Sequence, residues 1–257
     1  MCALSNDDVL ISSYEKGLRT LSLQSGQLSP VIPCALKRVL IMALDTRTYS
    51  LVLVVRPPHP NDLYWWLVSM RRRVNEMVWD EVERLDTEIP VSTHIQDIGL
   101  CESRVLLGTQ SYSYLHAFDV STEHNLCVVG IVLVNSSFVH FACTRVGADT
   151  LVAFSHKKSV SLQRLVGLEL EPLAEIASTR LKWLLFRGTL LLATGWNNGK
   201  NQGIQSFHIL GGGLNLQPQV LLDFNVGVEV SCWCIAGNRL IMRANTAKDL
   251  LTIYDLE

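Results

Sequence analysis

A unit of four strands recurs along this chain, and this recurrence restricts the fold more than any other feature. In the clearest copies a short polar turn precedes an apolar strand and a second polar turn precedes an alternating strand; these are Ala3–Gly26, Ile98–Val120 and Ala236–Leu256. The second strand of each unit begins near residues 9, 49, 104, 150, 189 and 239. These intervals bracket the roughly 40–50 residues of propeller blades. The sequence therefore predicts an all-β fold, a β-propeller of about six four-stranded blades.

A single propeller domain is predicted over residues 1–257, with blades at roughly 1–34, 35–90, 91–135, 136–178, 179–226 and 227–257. The last unit stops after its third strand, whereas a closed propeller needs a fourth strand there. One alternative is that Met1–Ser5 is donated to the last blade and leaves the first blade short. The alternative that we favour is that the chain is part of a longer protein, within a larger or incompletely closed propeller.

The segment Arg71–Glu88 fits two patterns. Its apolar residues follow helical spacing, yet Met77–Leu85 also alternates as a strand. Because the other complete units end in a fourth strand, we expect a strand here as well. The preceding segment Arg56–Asn61 contains three prolines and is predicted to be a loop, since proline cannot donate to a ladder.

Composition limits the classes of partner. Hydrophobic residues make up 48% and charged residues 18% of the chain, so the strands must be buried on both faces. A net charge of −2 gives no electrostatic case for a nucleic acid or membrane partner. Residues Asn125–Thr144 carry no charge, but their apolar run is only a strand long and too short for a membrane span. Seven scattered cysteines predict reduced thiols and an intracellular protein, cytoplasmic or nuclear.

Three dipeptides carry a resemblance to a known family. Phe118-Asp119 and Tyr254-Asp255 end third strands, and Ser25-Gly26 follows the third strand of the first unit. In these positions the chain resembles the WD40-type β-propeller family, which has Trp-Asp at the end of this strand. The Gly-His pair of that family is absent and Trp79-Asp80 falls elsewhere, so its polar tetrad is not carried over. The first unit also resembles the propellers of F-box adaptor proteins.

Motifs for catalysis or metal binding are weak. Cys232 and Cys234 fall on one face of a predicted strand, but no second cysteine pair accompanies them. His124-x-x-Cys127 and His140-x-x-Cys143 likewise lack two further ligands, so these residues are predicted to fill the core. No nucleophile elbow or phosphate-binding loop is present. We therefore expect no metal, no cofactor and no catalytic residues.

Two segments are the candidate partner-binding sites. The first combines Trp65 and Trp66 with Arg71, Arg72 and Arg73, because tryptophan and arginine are enriched in interface hot spots. Trp65 and Trp66 point to opposite faces of a strand, so at most one faces a partner.

The second segment is Gly195–Gln202, predicted to be a long loop rich in glycine and asparagine. Its candidate residues are Trp196, Asn197, Asn198 and Lys200.

The predicted function is a non-catalytic scaffold or substrate-receptor propeller that binds a protein or peptide, and the oligomeric state is left open. The alternative is a propeller enzyme or carbohydrate-binding module with its site in the central channel. Such an enzyme needs two facing carboxylates about 5–9 Å apart. Only Asp97 and Glu229 fall on innermost strands, which favours the interpretation that the chain is not an enzyme.

Overall fold

The computed structural model describes residues 1–13, 17–32, 38–45, 50–59, 61–72, 79–109, 113–177, 181–197, 200–210, 213–222, 230–244 and 251–255. Over these residues the chain forms 22 strands and no helix, and therefore contains no helix that could cross a membrane. The strands form six antiparallel sheets, in each of which successive strands are neighbours. We call these sheets blades 1 to 6 in chain order. Their arrangement confirms the predicted all-β propeller.

Blades 1 and 6 contain three strands each; these are β1 (Cys2–Ala3), β2 (Asp8–Ser13) and β3 (Gly17–Ser22), and β20 (Val230–Ala236), β21 (Arg239–Ala244) and β22 (Leu251–Asp255). Blades 2 and 3 contain β4 (Val39–Asp45), β5 (Ser50–Val55), β6 (Tyr64–Arg72) and β7 (Trp79–Pro90), and β8 (Ile95–Cys101), β9 (Arg104–Thr109), β10 (Tyr114–Val120) and β11 (Leu126–Leu133). Blades 4 and 5 contain β12 (His140–Val146), β13 (Asp149–Ser155), β14 (Ser159–Val166) and β15 (Glu169–Ala177), and β16 (Leu181–Arg187), β17 (Leu190–Asn197), β18 (Lys200–Leu210) and β19 (Gly213–Leu222).

The first strands of blades 1 to 5 lie against one another in chain order, and β1 also contacts β20 of blade 6, so that the first strands surround the axis. We letter the strands of each blade a to d from the axis outward. Because antiparallel strands alternate in direction, the b–c connections and the links from d to the next a lie at one end of the ring. We call this end the upper face. The a–b and c–d connections lie at the opposite end, the lower face.

Apolar clusters between neighbouring blades form the core. β5 is buried at all six positions, because one side of it packs toward blade 1 and the other toward blade 3. Between blades 2 and 3, Val54 and Leu67 pack with Val105 and Phe118. This burial on both faces explains the continuous apolar runs and the low content of charged residues.

Blades 1 and 6 meet through side chains. Val9 packs with Ile241 in a shared cluster, and Nη1 of Arg239 lies 3.4 Å from Oδ1 of Asp7. No strand pairing joins the two blades within the described residues. The alternative in which Met1–Ser5 is donated to the last blade is wrong, because Cys2 and Ala3 pair with β2 of blade 1.

The four-stranded repeat places the fourth strand of blade 1 at Leu28–Ile32, and this strand is only partly formed. Ser29 N donates to Thr20 O at 2.8 Å and Ile32 N donates to Leu18 O at 2.8 Å, so the segment runs beside β3. It forms a single isolated bridge at Leu28 rather than a continuous strand. Pro30 lies between these two donors and has no N–H of its own.

The ambiguous segment in blade 2 contains a strand, β7, over Trp79–Pro90. Trp79 is buried at its start in the cluster between blades 1 and 2. The alternation that continues to Leu85 therefore describes this part of the segment correctly, and the helical spacing does not.

Candidate functional site

Trp65 lies at the upper end of β6 and is buried, with 6% of its surface exposed. Its Nε1 donates to the carbonyl oxygen of Thr93 at 2.9 Å, and its own carbonyl oxygen accepts a hydrogen bond from Oγ1 of Thr87 at 2.7 Å. Trp65 therefore fixes the link between blades 2 and 3 at the upper face. Its indole is not presented to a partner.

Trp66 points to the other side of β6, as the strand period requires, and packs against the cluster between blades 1 and 2. The guanidinium carbon of Arg84 lies 4.3 Å from the centre of its ring. Arg84 also forms a bidentate pair with Glu81. The half-buried indole is thus covered by an arginine of the same blade.

Arg71 lies at the opposite end of β6 from the tryptophans. It is exposed and pairs across the sheet with Ser50 and Asp80. Six strand residues at about 3.3 Å each separate Trp65 from Arg71 by about 20 Å. The proposed cluster of tryptophans and arginines is therefore wrong as a single surface, because its two halves belong to opposite faces of the ring.

The second arginine of the run also lies away from the upper face. Arg72 pairs with Trp79 near the lower face, and Arg73 lies outside the described residues. Burial lowers the pKa of His124, and the charge of Arg71 lowers it further. This places Arg71 near the c–d connection of blade 3, at the lower face.

The predicted long loop of blade 5 is a tight hairpin. Trp196 pairs with Asn201, and Asn197 pairs with Lys200, so β17 and β18 extend the ladder almost to the turn. The prediction of a long loop over Gly195–Gln202 is therefore wrong, and Asn198 lies outside the described residues. As a b–c connection the hairpin lies at the upper face.

A cleft with a volume of about 240 Å³ opens at the upper face of blade 2, and we call it the blade 2 cleft; it is lined by Arg38, Arg56, Pro57, Pro58, His59, Asp62 and Val91. Arg38 precedes β4, Arg56–Asp62 forms the b–c connection, and Val91 follows β7. The amide of Arg56 donates to the carbonyl oxygen of Arg38 at 3.1 Å. Three connections of one blade therefore meet at one site.

A buried carboxylate–imidazole pair lies farther along the upper face, between blades 3 and 4. Oδ2 of Asp97 lies 2.8 Å from Nδ1 of His140 and accepts the amide of Phe141 at 3.1 Å. Burial raises the pKa of Asp97, while the nearby His140 acts in the opposite direction. The carboxylate is thus committed to joining two blades. Glu229, the second acid considered for a channel site, lies outside the described residues.

The histidines and cysteines considered as metal ligands are dispersed. Cys234 is buried between blades 6 and 1, and the Cys232 side chain lies outside the described part of the structure. His124 is buried whereas Cys127 is exposed. Within the described residues no three potential ligands come together to hold a metal ion.

The blade 2 cleft was missed by the sequence interpretation. The prolines of Arg56–Asn61 identified a loop, but its arginine and histidine were not considered as ligand-binding residues. The signal for a binding site was the composition of this loop, in which prolines of fixed φ stand beside an arginine and a histidine. The contribution of Arg38 has no local signal, because it reaches the loop only through the fold.

No family model matches the chain, and neither does any curated protein. Solved propellers resemble it over almost its whole length. The β-propeller domain of Cps50 (Swd1) from Myceliophteria thermophila is 13% identical, with a TM-score of 0.57, and the match covers 100% of this chain and 96% of that one. A chain in the mitotic checkpoint complex is 11% identical with a TM-score of 0.58, covering 99% and 85%.

A third solved structure, a candidate 6-phosphogluconolactonase of Bacteroides fragilis NCTC 9343, is 10% identical with a TM-score of 0.53. The match covers 98% of this chain and 96% of that one. The prediction that the chain is not an enzyme is therefore wrong as a deduction from its architecture, because the fold is shared with a protein described as an enzyme. At these identities the comparisons show the fold alone, and the assignment to the WD40 type stays a prediction.

Proposed function

We propose that this protein is a protein-binding propeller whose partner contacts the upper face of blade 2. The observation that carries the proposal is a pair of exposed apolar side chains at the rim of the blade 2 cleft. Leu63 is 63% and Tyr64 38% exposed. The carbonyl oxygen of Leu63 accepts the amide of Val91, a cleft residue, at 2.8 Å.

The composition of this rim supports the proposal. Aromatic residues and arginine are enriched in interface cores, where an apolar centre is surrounded by polar groups. Here Leu63 and Tyr64 supply the apolar part, and Arg38 and Arg56 supply the cations. A solved propeller with the same architecture comes from a complex, the mitotic checkpoint complex, which supports a protein as the partner.

Within this proposal the finer role is that of a scaffold or substrate receptor, by analogy with F-box adaptor propellers. Trp196, Asn197, Asn198 and Lys200 stay predicted contact residues, because their hairpin shares the upper face. Arg71 and Arg72 lie toward the lower face, and Arg71, Arg72 and Arg73 stay a predicted, separate contact surface.

The intracellular location is also proposed rather than shown. Its support is that five cysteines of the described residues are thiols rather than disulfides; these are Cys2, Cys101, Cys127, Cys143 and Cys234. Such thiols persist in reducing compartments.

The proposal is tested by affinity capture from cell extract with the full chain and two variants. Leu63→Ser removes the rim leucine, and Leu133→Ser changes a leucine that is 72% exposed on the outermost strand of blade 3. We expect the captured proteins to be lost with Leu63→Ser and retained with Leu133→Ser. The opposite pattern would place the partner on the outer edge of the ring and contradict the proposal.

A further inference from the structure

We infer that the blade 2 cleft binds a carboxylate of an acidic peptide, with two arginines holding the carboxylate and Asp62 accepting an N–H of the same peptide. The inference deepens the proposed function and rests on it, since it names the chemistry that the partner presents to the upper face.

The cations of the cleft are available to a ligand. In the described part of the chain, the guanidinium groups of Arg38 and Arg56 have no carboxylate partner. Arg38 makes one long hydrogen bond, from Nη1 to the carbonyl oxygen of Pro57 at 3.4 Å. A guanidinium group carries five donors in a planar fork that matches a carboxylate. The two groups therefore offer more donors than the chain itself uses.

Asp62 supplies the complementary acceptor. Its amide donates to the carbonyl oxygen of His59 at 3.2 Å, which shapes the loop. Its Oδ2 is buried but has no hydrogen-bond partner within the described residues. Because Oδ2 has no exposed surface, an N–H of a bound peptide reaches the half-buried Asp62 carboxylate at its other oxygen, Oδ1, and offsets the unfavourable unpaired acceptor.

The charge balance favours a carboxylate over a phosphate. Among the described lining residues, with His59 counted as neutral, two arginines and one aspartate give a formal charge of +1, which one carboxylate neutralises. A phosphoryl group carries about −1.5 to −2 at neutral pH, and Asp62 would repel the excess. The cleft therefore matches a monoanion that has a donor beside it.

The size and rigidity of the cleft agree with a peptide ligand. Pockets for drug-sized molecules measure roughly 300–1,000 Å³, so a cleft of about 240 Å³ accommodates a side chain with its adjoining backbone. Pro57 and Pro58 restrict the loop before binding, which lowers the entropy cost. Arg38 has a φ of 63°, a left-handed conformation that is unfavourable for arginine and that recurs at binding sites.

The test measures fluorescence anisotropy of labelled peptides titrated with the full chain. The probe is a peptide of alternating glutamate and glycine with a blocked C-terminus. Two matched peptides replace glutamate by glutamine, one with a blocked and one with a free C-terminal carboxylate. Inorganic phosphate is the competitor. The protein variants are Arg56→Gln, Arg38→Gly and, as a control with the same change in net charge, Arg164→Gln on blade 4.

We expect the glutamate peptide to bind and its affinity to fall about 10-fold or more with Arg56→Gln, as for the loss of charge-assisted hydrogen bonds. Arg164→Gln should change affinity less than twofold. Arg38→Gly should weaken binding while the melting temperature stays equal or rises, because glycine tolerates the left-handed conformation. Binding of the glutamine peptide with a free terminus would support the inference and identify a terminal carboxylate as the ligand.

Three results would overturn the inference: equal binding of the blocked glutamine peptide, equal losses with Arg56→Gln and Arg164→Gln, or stronger competition by phosphate than by the unlabelled glutamate peptide. Any of these combined with capture that depends on Leu63 would leave the proposed function standing. Absence of capture together with binding that depends on Arg56 would instead separate the cleft chemistry from the proposed protein partner and refute the proposed function.

Discussion

Replacing Trp65 and Trp66 one at a time tests whether the structure assigns these adjacent tryptophans correctly. Trp65 is 6% exposed, packs between blades 2 and 3, and donates to Thr93. Truncating a buried tryptophan costs about 3–5 kcal/mol, and we expect Trp65→Ala to fall in this range. Trp65→Phe keeps most of the apolar contact but loses the indole donor, so we expect about 1–2 kcal/mol.

Trp66 is the matched control because it has the same side chain at the next position of the same strand. It is half-buried and covered by Arg84 at 4.3 Å. Loss of a cation–π contact of about 0.5–1 kcal/mol and of partial burial predicts a total of about 1–2 kcal/mol for Trp66→Ala.

The measurement is the free energy of unfolding in urea, followed by far-UV circular dichroism. The decisive comparison is the ranking of the two alanine variants. Equal costs, or a larger cost for Trp66→Ala, would refute the assignment of faces. If Trp65→Ala kept its stability but lost a captured partner, the structural role assigned to Trp65 would be wrong.

Three further perturbations test other parts of the fold. Gly99→Ala should cost about 1–3 kcal/mol by overpacking, because an added Cβ would lie 2.5 Å from Sγ of Cys143; Cys143→Ala in the same chain should recover part of the loss in a urea titration. Ile241→Ala should cost about 2–5 kcal/mol, since this residue is fully buried between blades 6 and 1, whereas Ile253→Ala, 44% exposed, should cost less than about 1 kcal/mol; similar values would contradict the contact between these blades. The pKa of His124 is lowered, mainly through burial, so the unfolded chain takes up a proton at a higher pH than the folded chain does, and thermal stability should fall as pH drops below about 6.5. His124→Asn should weaken this dependence, because asparagine tolerates the left-handed φ of 68° at this position. An unchanged pH dependence in this variant would contradict the burial of the imidazole.

Strand positions could be predicted because a strand that packs between two neighbouring blades appears in the sequence as a continuous apolar run. β5 is buried throughout and reads in sequence as Ser-Leu-Val-Leu-Val-Val, a short run rich in valine and leucine that is typical of a strand covered on both sides. β7 was harder, since its segment also fits helical spacing. The comparison with neighbouring units decided it correctly, because blades 3, 4 and 5 have a fourth strand at the same place.

The candidate site was less predictable, for two different physical reasons. The separation of Trp65 from Arg71 could have been predicted, since six residues of a strand span about 20 Å. It was missed because nearness in sequence was taken as nearness in space. Only the prolines of the b–c connection gave a local signal for the blade 2 cleft. Arg38 and Arg56 are far apart in the sequence and meet because the a and b strands of one blade pair in antiparallel register. The left-handed φ of Arg38 could not be predicted from the residue type or from the residues beside it in the sequence.

Arg38 and Arg56 of the blade 2 cleft differ from several charged side chains of the lower face, because within the described residues they have no partner from a neighbouring blade. At the lower face, charged side chains join the a–b connections of neighbouring blades: Glu102 contacts Arg145, Arg187 contacts Asn238 and Arg239 contacts Asp7. These charges are satisfied within the ring, although exposed pairs of this kind contribute only about 0–1 kcal/mol each. At the upper face of blade 2, Arg38 and Arg56 have no such carboxylate partner in the described residues. Asp62 in the same cleft offsets one of these two positive charges, and the remaining charge brings the fold no gain of its own, so an anion that arrives with a partner completes the charge balance.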